Sequence, residues 1–137
     1  MKKLKITYWT ATGLIFLMDG LMPALTSHTE LARQGIQHLG YPDYFRVMLT
    51  VFKVAGALIL LLPFFKGRLK EWAYAGFTFN FLCAAVSHAI VDGPDAQTVL
   101  PLVALVILAV SYKTYYQLQQ KPSIQQHDSY HLSLPVV

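Results

Sequence analysis

Residues 69–93 read LKEWAYAGFTFNFLCAAVSHAIVDG. The run opens with charge, continues through mostly apolar residues and closes on Asp92, Gly93 and Pro94. At 1.5 Å per residue it is long enough to cross a hydrocarbon core of roughly 30 Å. Trp72 and Tyr74 stand at its start, where amphipathic rings favour a membrane–water boundary. The run also has a polar side. At about 100° per residue, Gly76, Asn80, Cys83, Ala84 and Ser87 share a narrow arc, with His88 just beyond it. A small and polar stripe on a Phe/Leu/Val helix is expected to face other helices, not lipid. The rest of the chain should therefore supply helices that cover it.

Three further stretches qualify. The expected spans are residues 6–25, 45–64, 72–91 and 99–117. The fold class this implies is all-α: an integral membrane four-helix bundle in a single domain, residues 1–117, with a polar C-terminal tail, 118–137, expected to be disordered. Pro23 predicts a kink or a frayed last turn in the first span, and Pro63 ends the second. Between them, residues 26–44 are polar. Ser27 or Thr29 is placed to cap a short helix whose Leu31, Ile36 and Leu39 form an apolar edge for the membrane surface.

Composition agrees. The 137 residues are 55% hydrophobic and 13% charged, with a mean hydropathy of +0.43, which points to the bilayer rather than a soluble core. The net charge of +4 lies beside the apolar runs and forms no separate basic face, so nucleic acid is not a predicted partner. A single cysteine, Cys83, excludes an intrachain disulfide and a dithiol redox pair. It reads as a small packing residue. The basic head MKKLK resembles a signal n-region, but the apolar stretch after it is long and contains Asp19, so it reads as a retained first span.

Lys and Arg set the orientation. Lys2, Lys3, Lys5, Lys66, Arg68, Lys70, Lys113 and Lys121 fall on one side, and only Arg33 and Arg46 on the other. The positive side faces the cytoplasm, which puts both termini inside.

Depth then singles out a site. With this topology Asp19 lies about 10 Å below the outer end of its span, Lys53 about 12 Å and His88 about 6 Å. An unpaired Asp or Lys near the bilayer centre costs roughly 2.5–3.5 kcal/mol. Asp19 and Lys53 are therefore expected to pair, with His88 or Asp92 able to join them. Asn80 and Ser87 complete the predicted polar cluster. Two readings stay open: structural glue that fixes helix register, or a pocket open to the outer side that takes a quinone head group, a small acid or a proton. For Asn80 alone, a hydrogen bond across helices is the expected role. His28 and His38 are ten apart and read as surface residues. His127 and His131, at i and i+4, carry little weight as a metal pair, and no metal site is predicted.

Residues 38–42 (HLGYP), residues 70–77 (KEWAYAGF), the Ser87-His88 pair and a lysine within the second span resemble the DoxX-like family of small bacterial membrane proteins. The resemblance covers about residues 8–110 and implies a four-helix protein of the bacterial inner membrane, multi-pass. The wider grouping includes a subunit of a thiosulfate:quinone oxidoreductase and proteins associated with oxidative stress. It implies an accessory role in a membrane redox process, with quinone as the candidate cofactor and a membrane or redox protein as the candidate partner. It supplies no catalytic residue, so enzymatic activity is left open, as is a homo-oligomer. The lone cysteine departs from any thiol-based member. Two other functions fit the residues: a non-catalytic membrane assembly module docking through residues 26–44 and, less well, a small-solute or proton transporter. The last is disfavoured because four short helices without broken midsections leave little room for alternating access.

Overall fold

The computed structural model describes residues 2–132, with side chains through Gln120. The described residues form helices and connecting turns, with no strand among them. α1 (Lys2–Ile15) runs through a π-helical segment (Phe16–Leu21) into α2 (Met22–Thr26). Then come α3 (Glu30–His38), α4 (Asp43–Leu61), α5 (Arg68–Val91) and α6 (Ala96–Leu132).

The π segment is where the sequence predicted only a kink. Pro23 has no N–H, and its ring clashes with the carbonyl four residues back, at Asp19. The chain widens one turn ahead of the proline: the Met22 N–H reaches back five residues to the Leu17 carbonyl. Asp19 and Gly20 ride on that widened turn, and both are buried. Gly20 is there for space. A Cβ on it would lie 2.6 Å from the Ala57 Cβ, so the π segment and α4 approach backbone to backbone.

Other boundaries follow local chemistry. Thr29 caps α3, its side chain accepting from the Ala32 N–H at 3.3 Å. α4 ends at Leu61 because Leu62, preceding Pro63, is extended. Gly40, at φ 88°, makes the turn from α3 into α4. α6 continues past residue 117 to Leu132, where the sequence predicted a disordered tail. Residues 117–121 are Gln, Leu, Gln, Gln and Lys, all good helix formers, so loss of hydrophobicity there does not end the helix.

Helices α4, α5 and α6 (over Ala96–Gln120) are each long and apolar enough to cross a membrane. The first rod, split by the π segment, is not one uninterrupted α-helix of that length. α1 packs on α6, the π segment on α4, and α5 lies between α4 and α6. The common core is Tyr74, Phe77 and Phe81 of α5, Leu60 of α4, Leu108 of α6 and Ile15 of α1. Thus α5 turns its aromatic side into the bundle.

A second polar knot holds the end near the N-terminus. Thr12 and Ser111 hydroxyls meet at 2.7 Å, and the Tyr74 hydroxyl joins Ser111 at 2.7 Å. Lys70, which the sequence counts among the charges of the cytoplasmic side, is 3% exposed. Its ammonium lies over the Tyr115 ring at 4.9 Å and the Tyr8 ring at 5.5 Å, with no carboxylate partner among the described residues. Cation–π contacts of this kind contribute about 1–2 kcal/mol when desolvated. Lys70→Glu is therefore expected to lower the thermal midpoint far more than Lys70→Met, because a carboxylate would meet the negative faces of both rings. Circular dichroism melts of the two variants in one detergent check this; equal midpoints would remove the ring contacts from the account.

Candidate functional site

Asp19 and Lys53 meet on the other half of the bundle. Lys53 Nζ donates to Asp19 Oδ1 at 3.0 Å, with side chains 22% and 9% exposed respectively. The π segment aims Asp19 at α4, and the Gly20–Ala57 approach lets the two helices close enough for the pair to form. One N–H of the ammonium is used, and two remain.

Lys53 stands where two cavities meet. The larger, about 540 Å³, is a groove between α4 and α5. On α5 its wall runs from Leu69 to Ser87, about 27 Å of helix. Most of the lining is apolar, with Phe45, Phe52 and Trp72 among it. The polar exceptions include Lys53, Asn80, Tyr41 and Ser87. The smaller cavity, about 360 Å³, lies under α3 and is lined by Thr26, Arg46, Thr50, Lys53, His88 and Gln97 with mostly apolar neighbours. Both cavities share Ile36, Leu39, Leu49 and Lys53 as walls.

The polar stripe of α5 thus has a different fate from the one the sequence predicted. Gly76, Asn80, Cys83, Ala84 and Ser87 line the open groove and are not covered by another helix. The packed face is Tyr74, Phe77 and Phe81, because large aromatic side chains bury more apolar area against α6 and α4 than a small-residue stripe can. Phe77 also wedges against Gly56 of α4, where an added Cβ would come within 3.0 Å of the ring. Cys83 is exposed in the groove wall and is not a packing residue. Asn80 makes no hydrogen bond across helices; half-buried, it has no partner among the described residues and faces the groove. Ser87 does bond outward, to the Tyr41 hydroxyl at 2.8 Å.

His88 does not join Asp19. Its Nδ1 is 3.0 Å from Asp92 Oδ2, and the other oxygen of Asp92 is 2.5 Å from His38 Nε2. His38, read from sequence as a lone surface residue, ties α3 to the end of α5, 54 positions away. Only the i, i+4 spacing of His88 and Asp92 hinted at this cluster. On the α3 side, Arg46 is held by Asp43 at 3.0 Å and donates to the Ser27 carbonyl. His28 is exposed, and the His127 and His131 side chains lie outside the described ones.

The two imidazoles, His88 first, hold the Asp92 carboxyl below the usual carboxylate range. A carboxyl depressed on folding stabilises fully above its unfolded pKa of about 3.9, and that contribution is lost as pH falls through the lower folded value. The α3 amides are therefore expected to lose hydrogen-exchange protection only below about pH 4. In Asp92→Asn they should be poorly protected at every pH. A wild-type and mutant pair with the same pH profile would mean that Asp92 does not hold α3.

An all-helical chain with three apolar helices long enough to span a bilayer, and an open apolar groove between two of them, is a helical membrane protein. More particularly, it belongs to the DoxX-like family, whose model matches residues 7–111, from within α1 through α2 to α5 and into α6. No curated protein and no solved structure matches the chain.

Proposed function

We propose that this protein is a four-span protein of the bacterial inner membrane, both termini cytoplasmic, that serves a membrane redox process as an accessory subunit by holding a quinone in the α4–α5 groove. The head group lies at Lys53, near the outer face, and the isoprenoid tail follows the apolar wall toward Trp72. The observation that carries this reading is the position of Lys53. It has two unused N–H donors partway along a long, open apolar groove, with Trp72 toward one end and Tyr41 and Ser87 toward the other. Asn80, half-buried and without a partner among the described residues, offers a second donor and acceptor to the carbonyls of the ring.

Trp72 lines the groove and reports on it. In a Trp9→Phe background, a short-tailed ubiquinone is expected to quench Trp72 saturably in nanodiscs. The paired variant Asp19→Asn with Lys53→Met keeps the bundle neutral and should bind at least about tenfold more weakly, since a hydrogen bond to a charged group contributes about 1.5–3 kcal/mol. Quenching that never saturates, or that is the same in both proteins, would overturn the reading.

A further inference from the structure

The cavity under α3 has a chemistry that the groove lacks. Most of its polar lining is already committed. Arg46 is held by Asp43 and the Ser27 carbonyl, the Thr26 hydroxyl donates to the Met22 carbonyl, and the Thr50 hydroxyl donates to the Arg46 carbonyl. The groups left over are two N–H of Lys53, the remaining N–H of Arg46, the Ser27 hydroxyl, the Gln97 side-chain amide and one nitrogen of His88, of which Lys53 stands at the groove and His88 is the one base. With Asp92 accepting from Nδ1–H, the neutral His88 ring has its lone pair on Nε2. A donor cation and an oriented base therefore line one chamber of about 360 Å³, and Lys53 is a wall of both that chamber and the apolar groove.

We propose that this chamber receives the acidic hydroxyl of an amphiphile whose apolar body lies in the groove, and that His88 takes its proton while Lys53 holds the oxygen left behind. The inference rests on the reading of the groove as an amphiphile site. In the step, the ligand O–H bond breaks and an N–H bond forms at His88 Nε2. The electron pair stays on the ligand oxygen, as an oxyanion beside the Lys53 ammonium. No electron is transferred, and no further reactant is needed. Asp92 acts through His88 as a positioning residue: it fixes the tautomer and faces the imidazolium that forms.

The test uses a para-nitrophenol carrying a decyl chain, together with its methyl ether, on the full chain in nanodiscs across neutral pH, where an imidazole can accept a proton, with the nitrophenolate fraction of bound probe compared with that of free probe. Wild type is expected to bind the phenol and turn it to the yellow nitrophenolate. His88→Gln should still bind the ether, read by Trp72 quenching, but with the nitrophenolate fraction at least about tenfold lower. Asp92→Asn should lower the nitrophenolate fraction of the bound probe in the same direction, and His38→Gln, which also frees α3 but keeps the His88–Asp92 bond, should not. Nitrophenolate that persists in His88→Gln overturns the proposal, because Lys53 alone then suffices. Wild type that binds the ether and holds the phenol neutral overturns it while the groove reading stands. Wild type that binds neither probe overturns both. If His88→Gln loses the ether as well, Asp92→Asn decides, since it keeps the imidazole: an unchanged band there overturns the proposal.

Discussion

Lys53→Met is expected to cost about 3 kcal/mol of stability, and adding Asp19→Asn to it should restore most of that loss. The reason is the burial of Asp19, whose side chain is 9% exposed and whose ion pair is with Lys53. Removing the lysine leaves a carboxylate inside the bundle with no cation beside it. Removing both charges leaves two neutral side chains of similar volume, which a low-dielectric interior accepts. Unfolding in mixed detergent, followed by circular dichroism, measures all three variants. A double variant as unstable as the worse single one would show that the pair is not what the single substitution breaks.

Gly20→Ala should cost about 2 kcal/mol, although alanine is the better helix former. The new methyl would sit 2.6 Å from the Ala57 Cβ, and neither group has a torsion through which to escape. The backbones must separate, and the Asp19–Lys53 distance grows with them. Ala57→Gly removes the opposing methyl. The combined variant is expected to return to within about 1 kcal/mol of wild type, because one helical glycine is exchanged for another and the propensity changes largely cancel. If Ala57→Gly adds its own loss to that of Gly20→Ala, the two positions do not touch in the folded protein.

Parts of this arrangement are local and could be read along the chain. Apolar length marked α4, α5 and α6 as spans, because bilayer thickness fixes the number of residues needed. Thr29 and Pro63 set helix ends through bonds made or refused within a few residues. The cost of charge at depth put Asp19 and Lys53 at similar levels, and their side chains lie 3.0 Å apart. The polar stripe of α5 was equally legible, but not what would cover it. Periodicity says which residues share a face and nothing about how far the neighbouring helix stands off.

The sequence alone determined the helical class, three of the four expected spans as long apolar helices and the placing of the charges along the chain, since each depends on composition and spacing over one helix. The tertiary structure decided the rest: that α4 and α5 leave a groove beside the small residues, that Lys70 lies over the rings of Tyr8 and Tyr115, and that His38 reaches Asp92. Those contacts join residues tens of positions apart. Their distances follow from how whole helices pack, which no single segment encodes.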